Sequence, residues 1–404
     1  MKAVLADLKS RLQTQSLKQL SEELDKQDVL KSYKKHFHLP NGTYFAGMSL
    51  GPCSTTSIIE IDSAVAMWKK KAVHGHFGDK GFAKFDDILK PYMSAILNCK
   101  ESEIAMMNGL TVNLHLLMLA FFKGGKILMC KDEFPSDQYV VQSQLERNGI
   151  KDGIIYSEGI DINSISASIT ANKDISMMVI SPVQYYTGDV MNIEAVVKLA
   201  HDHNIFVLLD LAHSVGNIPL FLDKWQVDAA AWCTYKYLCG GPGSIAGVYV
   251  SDKHEVTNAL QGWWGESFDQ RFKMENKYVG SHSASGMALS NPCALSSASL
   301  LGSLKMFTEA GLDRIYAKSR YLTGFLYLSL RAHGIGVLTH IDHCGSQLSI
   351  KIDSNITEIE KALENAKYFV DVRHDVIRVA PAALWNSFEE VHNFVETLST
   401  LVNK

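Results

Sequence analysis

The chain is short of the features that mark several large protein classes. Its seven cysteines are scattered between Cys53 and Cys344, odd in number and without a CxxC pair. That argues against a disulfide scaffold and fits a reducing compartment. Nine prolines and 28 glycines among 404 residues are too few for a collagenous or low-complexity chain. The longest apolar run, Leu116 to Phe122, falls far short of the ~20 residues a membrane span needs. Neither sign of charge dominates: 39 basic against 43 acidic side chains leave a formal charge of -4. This balance argues against a broad nucleic-acid or anionic-membrane surface. GxSxG, P-loop and HExxH motifs are missing, and no repeat with a period of about 20 to 50 residues recurs.

What is present is a chain 47% hydrophobic and 20% charged, the composition of a globular protein with a substantial core. The N-terminal stretch MKAVLADLKSRLQTQSLKQLSEELDKQ interrupts its apolar positions with charges, so it lacks a signal-peptide core and reads as one amphipathic helix. A cytoplasmic protein is expected. From about Ile104 to Val250, short β-rich runs alternate with helical stretches: KILMC (126–130), MMVIS (177–181), FVLLD (206–210), DAAAWC (228–233) and AGVYVS (246–251). Apolar runs without period-2 alternation are strands buried on both faces, which predicts an α/β fold with a parallel sheet covered by helices. After about Ser290 long helical patterns take over, the second ending at Gly334, followed by the strand-like GSQLSIKID and VIRVAP around the helix TEIEKALENAK. The expected partition is an N-terminal segment 1–60 joining the small domain, a large α/β domain 61–300 and a small α+β domain 301–404.

The strongest chemical signal is the pair FVLLDLAHSVGN (206–217) and AAAWCTYKYLCGGPGSIAG (229–247). Asp210 ends an apolar run, placing its carboxylate at the carboxyl end of a strand, where α/β folds bind ligands. Lys236 follows the next apolar run, where burial would lower the pKa of an amine. An acid and a lysine so placed suit pyridoxal phosphate, the lysine forming a Schiff base and the carboxylate pairing with the protonated ring nitrogen. The spacing leaves a structural ion pair open as well. GGPGSIAG precedes a strand instead of leading into a helix, so it is expected to be a tight turn and not a dinucleotide loop. In MMNGLTVNLHLLMLAFF, Thr111 is expected to cap a helix whose N-terminus could take a phosphate or simply be capped. EFPSDQY offers the ring of Phe134 and the carboxylate of Asp137, which alone read as a proline turn with an Asp helix cap. The histidine pairs HGH, HDH and HIDH lack accompanying acid or cysteine ligands, so no metal is expected. Arg378 is either a surface ion-pair partner or a clamp for a substrate carboxylate.

Taken together, YFAGMSLG (44–51), HGHF (74–77), LTVNLHLL, FPSD, VQYYTG (183–188), DLAHSVGN, WCTYKYL, GWWGE (262–266), RFKMENK (271–277), SNP (290–292) and IRVAPAALWNSF (377–388) resemble the kynureninases. These are fold-type-I pyridoxal-phosphate enzymes of the aminotransferase superfamily. The resemblance implies a mostly parallel seven-stranded-type sheet sandwiched by helices, with a smaller α+β domain from both termini. It implies that Lys236 carries the cofactor, that Asp210 holds the pyridine nitrogen with Asp137 contributing there, and that Phe134 stacks on the ring. Leu110, Thr111, Ser181, His213, Tyr235, Trp263 and Asn291 would complete the cofactor site, Trp263 and Asn291 coming from the neighbouring subunit of a homodimer. Tyr235 would assist Lys236 as an acid, Arg378 would clamp the substrate carboxylate, and His76, Ser290 and Asn291 would read its aryl ring. The implied reaction, a step of tryptophan degradation and NAD biosynthesis, hydrolyses the Cβ–Cγ bond of L-kynurenine or 3-hydroxy-L-kynurenine to (3-hydroxy)anthranilate and L-alanine.

The chain departs from the family pattern at Met48 in place of an asparagine, at Cys239 and Pro242 after the lysine, and at Ala288 in place of an arginine. Phe82 stands where a tryptophan is expected. These positions bear on the substrate wall more than on the cofactor. They leave open a relative acting on another amino acid, such as a β-eliminating lyase, a desulfurase using a loop cysteine such as Cys344, an enzyme for a modified kynurenine, or a non-catalytic relative.

Overall fold

The continuous apolar runs become the strands of one sheet, because residues without alternation can bury both faces only when helices cover both sides. The computed structural model describes residues 1–78, 80–256, 260–353 and 355–402. The chain divides into two units, the larger made of Ser57–Gln184 and Met191–Leu304. Its seven strands are β1 (Ile104–Met106), β2 (Lys126–Cys130), β3 (Ile154–Ser157), β4 (Ile175–Ile180), β5 (Phe206–Asp210), β6 (Ala229–Trp232) and β7 (Gly247–Val250). They are ordered β1-β7-β6-β5-β4-β2-β3. From β3 to β6 all neighbours are parallel, and β7 runs antiparallel to both β6 and β1. The fold is therefore the expected α/β sheet, mostly parallel and seven-stranded. Residues such as Leu117, Met129, Val179, Leu208 and Val248, all almost fully buried, form its core with the covering helices.

Asp228, just before β6, ties three parts of this unit together. Its buried carboxylate accepts from the Val207 amide at 2.7 Å, and His201 Nε2, His254 Nε2 and Lys253 Nζ lie 2.8, 2.7 and 2.8 Å from its oxygens. Burial works to raise this carboxyl, yet the bonds from His254, Lys253 and His201 more than reverse that and hold it well below the usual range. A depressed folded pKa contributes stability above the unfolded value of about 3.9 that is lost as the pH falls through the folded value. Asp228→Ala leaves those donors without their acceptor and is expected to cost on the order of 3 kcal/mol in urea unfolding at neutral pH. The deficit should shrink as the pH is lowered below about 4; an unchanged urea midpoint at neutral pH would exclude the cluster as a structural tie.

The smaller unit gathers three pieces of chain: Met1–Thr56, Tyr185–Val190 and the chain from Lys305 on. Strands β8 (Leu348–Lys351), β9 (Asp371–Arg373) and β10 (Val376–Val379) form an antiparallel sheet in the order β8-β10-β9. Thr43–Tyr44 pairs with Tyr368–Phe369, so the N-terminal piece is bound into this unit by backbone bonds. The helices Leu312–Ala332, Ile356–Asn365 and Phe388–Val402 share its apolar core with Leu8, Leu20 and Phe45. The long helix stops where expected, with Gly334 left-handed at φ 73°.

The expected single N-terminal helix is two, Lys2–Arg11 and Leu17–Gln27. Ser16 breaks it: its hydroxyl accepts from Gln19 N, and Gln19 Oε1 accepts from Ser16 N, a reciprocal cap that starts a new helix. The short Tyr185–Val190 piece is held by side chains at the start of β8 and just before it, with Gln347 Nε2 donating to Tyr185 O at 3.0 Å and Ser349 Oγ to Tyr186 O at 2.5 Å. Gly188, at φ 79°, is required there, since a Cβ would lie 2.7 Å from Gln347 O. Among the described residues no helix is long and apolar enough to cross a membrane.

Candidate active site

Four adjacent parallel strands, β2, β4, β5 and β6, deliver side chains to the sheet's carboxyl edge: Glu133 and Phe134 after β2, Ser181 after β4, Asp210 at the end of β5 and Tyr235 and Lys236 after β6. Lys236 sits in a turn fixed by backbone bonds from Cys239 N to Lys236 O (3.0 Å) and Gly240 N to Thr234 O (2.9 Å). Thr234 Oγ1 is buried between Ser244 Oγ and Ile245 O, at 2.5 and 2.6 Å, which pins the glycine-rich segment to the strand end. GGPGSIAG is thus the expected tight turn, with Gly241 and Gly243 left-handed. Cys239 takes the same conformation at φ 53°, one that non-glycine residues enter at a cost.

Lys236 Nζ lies 3.0 Å from His213 Nε2. The two acids Asp210 and Asp137 are 4% and 2% exposed and hydrogen-bond to each other. Burial raises both. Asp137, facing the charges of Asp210 and Glu133, is raised well above its usual range and keeps the proton. Asp210 receives that bond and one from Ala212 N at 2.8 Å and carries the charge. A buried carboxylate so supported needs a cation or a hydrogen-bond donor opposite it. Tyr235, half-buried and with Lys236 Nζ 5.9 Å from its ring centre, is bonded to Cys233; burial raises its hydroxyl far above neutrality, so it keeps its proton.

The helix Leu110–Phe121 begins after Gly109, which provides no side-chain cap. Thr111 is therefore not the cap expected from the sequence: it lies inside the first turn, and its hydroxyl pairs with Ser136 Oγ at 2.8 Å. With no capping side chain, the first-turn amides of Leu110 and Thr111 remain for an anion. Asp137 is likewise not a helix cap. Phe134 takes that position with Pro135 behind it, and one turn later Asp137 is turned inward to Asp210. The Phe134 ring is 45% exposed at the mouth of this edge. A buried acid pair, an amine, an exposed ring face and an uncapped helix N-terminus together form a donor set that fits a phosphorylated pyridine aldehyde.

Four of the remaining expected residues lie on the surface of the larger unit. His76 is exposed, edge-on to Phe82 at 5.7 Å. Ser290 and Asn291 are exposed. Trp263 is half-exposed and donates its indole N–H to Arg271 O at 2.6 Å. Arg378, in the smaller unit, is 2% exposed and not a surface residue: Asp371 Oδ1 accepts from Nε and Nη2 at 2.9 and 2.5 Å, Tyr185 O from Nη1 at 2.7 Å, and Ser49 Oγ lies 3.0 Å from Nη2. Sequence reasoning missed Glu133. Its carboxylate is 5% exposed and accepts from Ser181 N at 2.9 Å and from Ser181 Oγ at 2.6 Å. The available signal was an acid directly before FPSD at a strand's carboxyl end. Among the described residues no cluster of three or more histidines, cysteines and acids could hold a metal ion.

Residues 89–364 match the aminotransferase class-V family. Over 95% of its length the chain is 35% identical to a kynureninase of Flavobacterium psychrophilum, covering 98% of that protein. The chain belongs to the kynureninase family. A human kynureninase is also 35% identical, with 94% of this chain and 92% of that one aligned, and kynureninase 2 of Neurospora crassa is 36% identical over 88% and 85%. Among solved structures, a C-DES mutant with glycine covalently linked to its PLP cofactor superposes with a TM-score of 0.80 at 19% identity, over 91% of this chain and 98% of that one. A cysteine desulfurase of Thermococcus onnurineus gives 0.78 at 18% identity, over 92% and 98%. At such identity these structures show that this kynureninase-family chain shares their fold.

Proposed function

We propose that the protein is a pyridoxal-phosphate-dependent hydrolase that cleaves the Cβ–Cγ bond of L-kynurenine, 3-hydroxy-L-kynurenine or both, to the corresponding anthranilate and L-alanine. The observation that carries this is the Lys236–His213 and Asp210–Asp137 constellation at the sheet's carboxyl edge in a chain of this family. Pyridoxal phosphate, when bound, supplies an electron sink for the bonds at the substrate's Cα. Lys236 would hold its aldehyde carbon, Asp210 with Asp137 its ring nitrogen, Phe134 its ring face, and Leu110, Thr111 and Ser181 the remainder of the site with its phosphate.

The Lys236 amine, held 3.0 Å from His213 Nε2, would move the proton at the substrate's Cα. The Tyr235 hydroxyl, protonated at neutral pH, stands ready to give a proton to the departing carbon. Arg378 supplies a buried guanidinium suited to a carboxylate, and His76, Ser290 and Asn291 supply polar groups for the aryl ring. Burial pushes the Cys344 thiol up to about 12, so it is no thiolate at neutral pH and does not support desulfuration. The test is anthranilate fluorescence released from L-kynurenine in step with alanine; a cofactor-loaded preparation that releases neither overturns the assignment.

A homodimer with shared sites is part of the same proposal, as is a cytoplasmic location, the latter supported by seven cysteines that are all free. Supporting the dimer, Phe77, Trp263, Phe268 and Phe272 form a run of neighbouring rings on the larger unit that are 43 to 59% exposed. Monomeric proteins rarely leave such a patch to water. Phe272→Glu is expected to shift the sedimentation coefficient toward the monomer at micromolar protein; a variant that sediments like the wild type removes this face as the contact.

A further inference from the structure

The acid pair is not alone at the sheet edge. Glu133, two residues before the helix Pro135–Arg147, is a third carboxyl buried on the carboxyl side of β2. Its two oxygens accept from Ser181, one from the amide and one from the hydroxyl, and the carboxylate also takes a bond from the Phe134 backbone. That arrangement costs Ser181 its only side-chain hydrogen and fixes the carboxyl's orientation without neutralising it. The charged groups that bear on it and on its two partners are Asp210, Asp137 and Lys236. With Asp137 protonated, the carboxylates of Asp210 and Glu133 face the Lys236 amine, an excess of negative charge that a protonated ring nitrogen would balance.

We propose that Glu133 is a positioning residue that acts beside Asp137 and Asp210: its buried carboxylate, fixed by Ser181, adds its charge to that of Asp210 and strengthens the preference of the acid pair for a ligand with a protonatable ring nitrogen. Ser181 serves as the anchor that holds this charge at a fixed place. Burial, opposed by the two bonds from Ser181 and reinforced by Asp210, brings the Glu133 carboxyl up to about 7, so its charge is present for part of the molecules at neutrality and for nearly all at pH 8.5. The inference rests on the cofactor reading above.

The experiment compares two ligands on the full-length chain stripped of cofactor, at pH 8.5, by tryptophan fluorescence: pyridoxal phosphate and its 1-deaza analogue, in which the ring nitrogen is replaced by CH. The ratio of their dissociation constants reports the ring nitrogen alone, since the aldehyde and phosphate are shared. Wild type is expected to prefer pyridoxal phosphate. E133Q, which keeps the shape and removes the charge, is expected to reduce that preference about tenfold, the equivalent of one pH unit of proton affinity. E133D, which keeps the charge and loosens the hold on Ser181, is expected to stay within about twofold of the wild-type ratio. An unchanged ratio in E133Q, or a ratio lost equally in E133Q and E133D, makes Glu133 a mere brace and overturns the proposal. Should E133Q not fold, E133D decides alone, a retained ratio supporting the proposal and a lost one overturning it. A wild-type chain that binds neither ligand refutes the cofactor reading itself, an outcome distinct from the others.

Discussion

Lys236→Ala is expected to abolish the long-wavelength absorbance of the cofactor-loaded protein and to lower turnover of L-kynurenine by about 10² to 10⁴ through the lost proton transfer alone. The fold should survive. The turn around position 236 is held by backbone bonds from Cys239 and Gly240 and by the Thr234–Ser244 contact, none of which uses the lysine side chain. Borohydride reduction of the wild type followed by peptide mass spectrometry should place the cofactor mass on Lys236, and an added small amine should restore part of the variant's activity. A purified Lys236→Ala protein that keeps both the absorbance and a reducible adduct would show that another amine does the work, and the constellation would have to be reassigned.

Asp210→Asn is expected to be nearly as damaging, by about 10² to 10³ in kcat at saturating cofactor, the loss typical of removing one preorganised charge partner from a buried site. Two effects combine. The amide cannot hold a proton on the ring nitrogen, and it no longer accepts the Asp137 hydrogen with a full charge. Asp137 then loses the neighbour that does most, after burial, to keep it protonated, so it can ionise and take over part of the role. Activity should therefore be partly preserved in Asp210→Asn and fall further in the Asp137→Asn/Asp210→Asn double variant. The measurement is kcat across cofactor concentration for both proteins; turnover of Asp210→Asn equal to wild type would remove Asp210 from the site.

Much of the larger unit was legible because its strands are continuous apolar runs: FVLLD and KILMC are β5 and β2 to the residue. Asp210 and Lys236 stood out for the same reason, each terminating such a run. The errors share a cause, since they concern side chains whose partners are distant in sequence or hidden by local competition. Thr111 looks like a cap because threonine commonly is one, but Ser136 from another helix claims its hydroxyl and leaves Gly109 at the cap position. Asp137 matches the pattern of a helix-start acid, and only the approach of β5 reveals that it faces Asp210. The N-terminal helix has an unbroken amphipathic pattern, and the Ser16–Gln19 exchange that splits it is visible only as a local motif. Arg378 carried no sign in its strand that Ser49, Tyr185 and Asp371 would enclose it.

The three-piece construction of the smaller unit dictates the timing of its assembly during synthesis. Residues 1–56 leave the ribosome well ahead of their partners, since Leu8, Leu20 and Phe45 pack against residues beyond position 320, and the backbone of Tyr185 must likewise wait for Arg378. The apolar face of this amphipathic segment thus stays unsheltered while some 300 further residues are translated, a span over which chaperone capture and aggregation compete with folding. Expression yield should accordingly depend on elongation speed and holdase supply more than the native stability alone suggests.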